Sequence, residues 1–396
     1  MQAASRGRLD DAGKEGERVS LRNRVAVIGV GTTAAGTMPG NDAYDLGLIA
    51  FQRAMADCGI KRTQIDGLIV NRIPDYQRFA EIAGMDPRFA LVTPGQGRMS
   101  GNSIEIACAA IEAGLAHTIA LVYGNNGKSA GDQYGGEGDR YGGGGVGPWF
   151  PYGMTSPGAA HAVMFQRHMH LYGTTSRQLA AVSVAFRKHA LLNPDAVMKK
   201  PITVEDHQNS RFIAEPLHLF DYCLINDGSV ALIVTSAERA KDFPKPPVYV
   251  RGFGVSTKLK GSSLPPDDFW YAPMQQVAKQ TYDMAGVTHD DLDGLMIYDN
   301  FSPTVLFTLE GFGFCKQGES GDFVQNGRLE LGGELPSNTD GGHLSNSYMQ
   351  GWALNAEAVR QLRGECGARQ IKDAKLIQYM CAAPLVTSII YGTDPT

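Results

Sequence analysis

The chain has 396 residues, 43% of them hydrophobic and 19% charged, which is enough to bury one large core or several smaller ones. The formal net charge of -5 and the scarcity of basic clusters argue against nucleic acid as the main partner. No apolar run approaches the roughly 20 residues of a membrane span, so no membrane association is predicted. The six cysteines show no Cys-x-x-Cys spacing, which is typical of a reduced, cytoplasmic protein and predicts neither disulfides nor a structural metal.

The first half of the chain alternates strand and helix patterns after a polar tail, residues 1–23, that we expect to be mobile. Its elements are a strand over 24–31, a helix over 43–58, a strand over 65–70, a helix over 104–116 and a strand over 119–123. The helix over 104–116 is apolar around its whole circumference, so we expect it in the middle of the molecule.

The first strand ends in a glycine pattern that resembles a dinucleotide-binding loop. Gly29, Gly31 and Ala34 have the required spacing, but Pro39 and Gly40 intervene before any helix begins. Because the phosphate of a dinucleotide binds at the N-terminus of a helix, no nicotinamide site is predicted.

The same strand and helix pattern returns from residue 247 onwards. Residues 286–297 align without a gap to residues 59–70 and share an Asp-Gly-Leu triplet with them. The second copy also has helical spacing over 274–285 and 352–363 and strand patterns over 248–254 and 375–381. An internal repeat of this length predicts two similar βαβ-type halves, residues 24–246 and 247–396, with largely parallel sheets covered by helices on both faces.

A long excursion, residues 124–225, interrupts the first half. Its glycine-rich part, 124–153, carries interleaved aromatic residues, and we predict that it covers the mouth of a site or a subunit contact, with a flexible linker as the alternative. Helices are predicted to follow over 159–172 and 176–192. His168 and His170 point in nearly opposite directions from the first of these helices, so they are not predicted to bind a metal.

A polar, glycine-rich loop, residues 335–351, precedes the helix predicted over 352–363. The loop presents Asn338, Asp340, Gly341, Gly342, His343 and Tyr348. Paired glycines allow close backbone approaches that a side chain would block, so this composition predicts an active-site loop. The repeat places it opposite residues 96–103, which precede the central helix of the first half.

Several motifs in the chain resemble those of one known family. They include Asn226-Asp-Gly228, Tyr298-Asp-Asn-Phe301 and Asn338-Thr-Asp-Gly-Gly342. Together they resemble the thiolase superfamily, specifically its sterol-carrier-protein-type and lipid-transfer-protein-like members, over essentially everything after residue 23. The resemblance implies an α/β fold of two βαβαβαββ halves in a five-layer α-β-α-β-α arrangement, a homodimeric core and acyl-CoA chemistry.

The residues that thiolases use for catalysis are replaced in this chain. A thiolase holds its acyl group on a cysteine in a Cys-x-x-Gly motif, where this chain has Arg98-Met-Ser-Gly101. The thiolase histidine falls on Tyr348, and the motif of the C-terminal half begins with Tyr298. Cys381 remains at the position of the acid/base cysteine, but the glycines that should follow it are missing.

This pattern is similar to the lipid-transfer-protein-like aldolases of steroid side-chain degradation, which carry tyrosines at both places. The resemblance implies retro-aldol cleavage of a β-hydroxyacyl-CoA to a ketone and a shorter acyl-CoA, without a covalent acyl-enzyme. It also implies a coenzyme A thioester as the substrate, no bound cofactor or metal, and a small zinc-ribbon/OB-fold partner that forms a heterotetramer with the homodimer.

The chemistry requires a base for the β-hydroxyl proton, an acid for the departing carbon and donors for the enolate oxygen. We predict that Tyr298 and Tyr348 are the acid and base, with Arg98 or His343 as the cation that lowers the pKa of a phenol from about 10. Backbone N–H groups near Gly101 and the Gly341–Gly342 turn are the predicted oxyanion donors. The full predicted set of substrate-binding residues is Arg98, Ser100, Gly101, Asp299, Asn300, Asp340, Gly341, Gly342, His343 and Cys381.

Two alternatives remain at this stage. The chain could be a Claisen-type acyltransferase that uses Cys381 as its nucleophile. It could also be a non-catalytic scaffold that binds acyl-CoA or a partner protein.

Overall fold

The computed structural model describes residues 20–95, 97–132, 154, 156–258 and 265–395. The predicted tail up to residue 19 and the glycine-rich residues 133–153 lie outside this part. The strands are β1 (Val25–Thr32), β2 (Gly67–Asn71), β3 (Phe89–Thr93), β4 (Thr118–Asn125), β5 (Phe212–Ala214), β6 (Leu217–His218), β7 (Gly228–Ser236), β8 (Val248–Thr257), β9 (Gly294–Ile297), β10 (Leu376–Cys381) and β11 (Leu385–Gly392).

The helices are α1 (Ala43–Cys58), α2 (Tyr76–Ala83), α3 (Met99–Glu112), α4 (Pro157–Tyr172), α5 (Ser176–Leu192), α6 (Val204–Asn209), α7 (Ala237–Ala240), α8 (Tyr271–Ala285), α9 (Ser302–Gly311), α10 (Ser320–Phe323) and α11 (Trp352–Leu362). The sequence patterns located α1, α4, α5, α8 and α11 closely. They missed α2 and α9; α9 is buried along its whole length and has no amphipathic periodicity. None of the helices in the ranges given above is long and apolar enough to cross a bilayer.

One sheet of nine strands, in the order β3-β2-β4-β7-β1-β8-β11-β10-β9, runs through both halves. β1 and β8 pair antiparallel at its centre. Within the described sheet only the pairs β2–β3, β2–β4 and β9–β10 are parallel, so the prediction of largely parallel sheets is wrong. Moving outward, β7, β4 and β2 on one side have β11, β10 and β9 as their counterparts on the other. The two halves therefore repeat a strand order, and the division into residues 24–246 and 247–396 stays a prediction.

The aligned segments of the repeat have the same local structure. α1 and α8 each end at a glycine in the left-handed region, Gly59 with φ 69° and Gly286 with φ 67°. Both positions require glycine because a β-carbon is unfavourable there. A short 3-10 turn follows each glycine and leads into β2 or β9.

The two halves differ at the outer edge of the sheet. β3 pairs in parallel with β2, but on the opposite edge β9 has only an isolated bridge from Leu295 to Ser337. The side chain of Asn338 continues this edge, since its Nδ2 donates to the carbonyl of Ile297 at 2.7 Å and its Oδ1 accepts from the Ile297 N–H at 2.6 Å. The polar loop 335–351 therefore takes the place of a fifth strand.

The apolar core lies in three regions around the sheet. α1 and α2 cover the N-terminal half, α4, α5, α8 and α9 cover the C-terminal half, and α3 and α11 pack between the two halves. α3 thus lies against the core that the two halves share, as predicted, but it is not buried all round: Ala109 is exposed and Ile106 is half-buried. α3 begins at Met99, earlier than the predicted start at residue 104. The apolar spacing did not reveal the first turn because that turn is polar.

The glycines of the apparent dinucleotide motif serve helix packing. A β-carbon on Gly29 would lie 2.9 Å from Sγ of Cys58, and one on Gly31 would lie 3.0 Å from the carbonyl carbon of Arg53. Both contacts are with α1, which begins only at Ala43. The glycines thus let α1 approach β1 closely, as such residues do at helix and strand contacts.

A carboxyl group is buried in the central helix without a good hydrogen bond. Glu105 is 6% exposed, and neither carboxylate oxygen has a bonding partner of adequate geometry, although Asn102 lies close enough to favour ionisation slightly. Burial raises the pKa of Glu105 to about 8.

We expect Glu105→Gln to stabilise the protein increasingly as the pH rises. The native state binds this proton more tightly than the unfolded state, so the free energy of unfolding falls as pH rises from the unfolded pKa toward 8. The full shift corresponds to at most about 5 kcal/mol. Urea unfolding at pH 5 and pH 8.5 should show a much larger gain for Glu105→Gln at pH 8.5, with Glu112→Gln on the same helix as the control. A gain that is equal at both pH values would contradict the prediction.

Candidate active site

Two tyrosines that are fifty residues apart in the chain meet at the centre of the molecule. The hydroxyl oxygens of Tyr298 and Tyr348 are 2.9 Å apart, which is a hydrogen bond. The rings meet edge to face, and the residues are 4% and 9% exposed. The geometry brings together the two tyrosines that the sequence predicts to be the acid and the base.

Each tyrosine is held through its backbone. Tyr298 follows the last residue of β9, and its N–H donates to the carbonyl of Met380 in β10 at 2.8 Å. Tyr348 lies four residues before α11, and its N–H donates to Oδ1 of Asn226 at 2.6 Å. Asn226 belongs to the N-terminal half, so both halves contribute to the site.

His343 lies between the two tyrosines and is fully buried. Its ring centre is 4.7 Å from that of Tyr298 and 5.2 Å from that of Tyr348. Nε2 accepts the N–H of Gly351 at 3.0 Å, so this nitrogen carries no hydrogen and the ring is neutral with its hydrogen on Nδ1. Nδ1 is 3.2 Å from Oδ1 of Asp299, though without the angle of a hydrogen bond. The expectation that His343 supplies a cation is therefore wrong.

Two buried carboxylates hold the turn that carries His343. Asp299 accepts the N–H groups of His343 at 2.9 Å and Leu344 at 3.2 Å. Asp340 accepts from the N–H of Gly342 at 2.8 Å and from the side chain of Asn346 at 2.6 Å. Burial, together with the charge of the neighbouring Glu357, raises the pKa of Asp340 to about 6.

The Gly341–Gly342 turn does not offer free donors to a substrate. The Gly341 N–H donates to the carbonyl of Asn338 at 2.9 Å, and the Gly342 N–H is taken by Asp340. Gly342 has φ 61°, and a β-carbon there would lie 2.8 Å from Nδ2 of Asn338. These glycines thus allow tight packing of the loop, and the prediction that their N–H groups hold an enolate oxygen is wrong.

The start of α3 faces the tyrosine pair. A β-carbon on Gly97 would overlap the hydroxyl of Tyr298 and would lie 2.6 Å from its Cε2. Ser100 makes a 2.8 Å hydrogen bond with the hydroxyl of Tyr379. Gly101 lies in the first helical turn, where backbone N–H groups have no intrahelical acceptor, and it packs closely against Thr387.

Burial sets the protonation states of the phenol and the thiol at this site. It raises the pKa of Tyr298 well above its ordinary value, and the charges that Tyr348 and Cys381 would carry raise it further. Cys381 is fully buried, and burial raises the pKa of its thiol to about 12, although Arg98 and Tyr379 act in the opposite direction. The predicted lowering of a tyrosine pKa is therefore not found at Tyr298.

The remaining predicted residues, Arg98 and Asn300, are both half-buried, and Arg98 is the N-cap of α3. Asn300 is bonded within the protein. Its Oδ1 accepts from Oγ1 of Thr304 at 2.9 Å, and its carbonyl accepts the N–H of Cys223 at 3.0 Å.

Sequence reasoning did not assign a role to Gly97, Asn226 or Tyr379. In the sequence, Gly97 is only a glycine just before a helix and Asn226 is only part of an Asn-Asp-Gly motif, and neither feature indicates a contact with a distant tyrosine.

Within the residues that the structure describes, no three His, Cys, Asp or Glu side chains are arranged to hold a metal ion.

Solved structures share this architecture over nearly the whole chain. The Ltp2-ChsH2(DUF35) aldolase superposes with a TM-score of 0.86 at 32% identity, covering 94% of this chain and 98% of that one. Human mitochondrial 3-ketoacyl-CoA thiolase superposes with a TM-score of 0.69 at 16% identity, covering 95% and 99%, which is a likeness of fold alone. Residues 259–380 match the family model described as Thiolase C-terminal domain-like. The fold and these matches define a thiolase-fold protein.

Characterised relatives narrow this class. The chain is 37% identical over 391 residues to the steroid side-chain-cleaving aldolase of Thermomonospora curvata, covering 94% of this chain and 99% of the relative. It is 38% identical over 366 residues to the 17-hydroxy-3-oxo-4-pregnene-20-carboxyl-CoA lyase of Mycobacterium tuberculosis, covering 87% and 92%. The chain belongs to the thiolase superfamily and, within it, to the family of this aldolase and this lyase.

Proposed function

We propose that the protein catalyses retro-aldol cleavage of a β-hydroxyacyl-CoA with a steroid side-chain-like acyl part, releasing a ketone and a shorter acyl-CoA. The observation that carries this proposal is the 2.9 Å contact between the hydroxyls of Tyr298 and Tyr348, at the two places where thiolases keep other catalytic residues. The names of the two relatives support the substrate class. The reaction needs no acyl group on the protein, and no cofactor is part of the proposal.

The tyrosine pair accounts for both proton transfers. As the bond between the α- and β-carbons breaks, the β-hydroxyl gives its proton to the pair, and its oxygen becomes the ketone carbonyl. The bonding electrons form a thioester enolate, whose α-carbon then takes a proton back from the pair. Because burial keeps the proton on Tyr298, we assign it the donor role, and we assign Tyr348, as a phenolate, the acceptor role. After both transfers the proton passes from Tyr348 to Tyr298 along their 2.9 Å hydrogen bond, which restores the pair. No net proton is gained or lost.

The first turn of α3 is the site that we propose for the enolate oxygen. Its N–H groups, including that of Gly101, lack intrahelical acceptors, and the positive end of the helix dipole lies there. Arg98, directly before the helix, adds a positive charge. The other predicted donors, at Gly341 and Gly342, are occupied within the protein, which leaves this end of the site for the anion.

The assembly that we propose is a homodimer that binds a small zinc-ribbon/OB-fold partner to form a heterotetramer in the cytoplasm. The similar solved structure is named for an aldolase together with ChsH2(DUF35), and this pairing supports a partner of this kind. Such a partner would help to bind the coenzyme A thioester.

The direct test is to incubate the protein, with and without this partner, with a β-hydroxyacyl-CoA that carries a tertiary alcohol. We expect the ketone and the shorter acyl-CoA in equal amounts by mass spectrometry. Tight acyl-CoA binding without turnover, with the partner present, would instead indicate a scaffold.

Cys381→Ala should retain cleavage activity within about threefold and should never carry an acyl group. The wild-type thiol is fully buried and holds its proton, so it is a poor nucleophile. Intact-protein mass spectrometry after incubation with acyl-CoA is expected to show no acyl adduct on the wild type. An adduct on the wild type that disappears in Cys381→Ala would establish the acyltransferase alternative.

A further inference from the structure

A short piece of the N-terminal half runs between the two catalytic loops. This connecting segment, residues 222–226, forms a bridge from Tyr222 to Phe301. The Cys223 N–H donates to the carbonyl of Asn300 at 3.0 Å. Both contacts are with the residues that follow Tyr298, so one end of the segment fixes the loop of the first catalytic tyrosine.

The other end of the connecting segment fixes the loop of the second tyrosine. The Leu224 N–H donates to the carbonyl of His343 at 3.0 Å, and Oδ1 of Asn226 accepts the N–H of Tyr348 at 2.6 Å. Asn226 is 1% exposed, so no water can replace its amide oxygen without a rearrangement. The segment therefore determines how far apart the two loops lie.

The three residues of the Asn-Asp-Gly motif, 226–228, make different contacts and have different roles. Asp227 is held by the N-terminal half, since it accepts the N–H groups of Met38 at 2.7 Å and Ser129 at 3.0 Å. Gly228 has φ 157° and leaves the space that the side chain of Met349 fills. Asn226 is the member that reaches across to the catalytic loop.

We propose that Asn226 is a positioning residue for the cleavage reaction: through the N–H of Tyr348, its amide oxygen holds this phenol at hydrogen-bond distance from Tyr298. The inference rests on the proposed function. It assigns to the N-terminal half the task of aligning two residues that both belong to the C-terminal half. Asn226 touches no reacting atom, so its effect passes through the placement of Tyr348 alone.

The test compares Asn226→Ala with Asn226→Asp and with Asn125→Ala. Asn125 is a matched control because it is 2% exposed and bonds the carbonyl of Asn226 at 2.8 Å without touching Tyr348. Asn226→Ala should lower kcat by about 100-fold, the loss expected from a displacement near 1 Å, with KM within about twofold of the wild type. Asn226→Asp keeps the accepting oxygen, so its kcat should be at least about tenfold higher than that of Asn226→Ala. Asn125→Ala should lower the Tm similarly but keep kcat within about threefold.

Hydrogen exchange gives a readout that does not depend on turnover. Peptides that contain the Tyr348 amide should exchange at least about tenfold faster in Asn226→Ala than in Asn125→Ala, because only the first variant leaves this N–H without its acceptor. If the wild type proves inactive, this measurement still decides the positioning. Equal exchange in the two variants, or equal losses of kcat, would overturn the proposal.

Discussion

Tyr348→Phe should lower kcat for cleavage of the β-hydroxyacyl-CoA by about a thousandfold, within the range of a lost general acid or base. The substitution removes one oxygen atom, and with it both the proposed proton acceptor and the 2.9 Å hydrogen bond to Tyr298. Steady-state kinetics with the partner present, measured beside the Tm, will show whether the loss is catalytic. Tyr298→Phe should cause a loss of similar size because the two phenols act as a unit.

Tyr391→Phe is the matched control for this experiment. Tyr391 is fully buried, and its hydroxyl donates to Oδ1 of Asn355 at 2.7 Å, but it does not contact the tyrosine pair. Both substitutions should cost about 1 kcal/mol of stability, while Tyr391→Phe should leave kcat within about threefold of the wild type. Full activity in Tyr348→Phe would refute the role proposed for this residue.

Gly97→Ala should lower kcat by about 100-fold, the loss expected when a reacting group is misplaced by about 1 Å. The new methyl group would occupy the position of the Tyr298 hydroxyl and would lie 2.6 Å from Cε2 of the ring, so the phenol must move. Its displacement breaks the contact with Tyr348 without removing any functional group. Steady-state kinetics measure the loss of kcat, and the Tm measures any loss of stability.

Gly95→Ala is the control for the loop that precedes α3. A β-carbon on Gly95 would lie 3.5 Å from the nearest atom, in Arg72, which is an ordinary van der Waals contact. This variant should keep kcat within about threefold of the wild type, since most surface substitutions change little. If Gly97→Ala is as active as Gly95→Ala, the phenol of Tyr298 does not need the position that it has in this structure.

Much of the fold could be predicted from local patterns. The alignment of residues 59–70 with 286–297 predicted two equivalent turns, and both turns have a left-handed glycine, at Gly59 and Gly286. The outer edge of the C-terminal half could not be predicted in this way. There the side chain of Asn338 replaces the pairing of a strand, and a polar loop has no period that reveals such a substitution.

His343 shows where sequence reasoning reached the wrong chemistry. A histidine in a polar loop close to a phenol is a reasonable cation, because its ordinary pKa lies near neutrality. The N–H of Gly351, which caps α11, points at Nε2 and keeps the ring neutral. The charge of this side chain therefore depends on the orientation of one backbone amide.

The sequence by itself determined the duplicated α/β architecture, the central position of α3 and the two tyrosines in place of thiolase catalytic residues. The first two follow from periodicity and the internal repeat, and the third follows from the resemblance of short motifs to those of thiolases; all of these are read along the chain. Only the tertiary structure decided that the two phenols lie 2.9 Å apart, that burial raises the pKa of Tyr298 and that Asn226 holds Tyr348. Each of these depends on contacts between residues that are far apart in the chain, and the folded core creates those contacts.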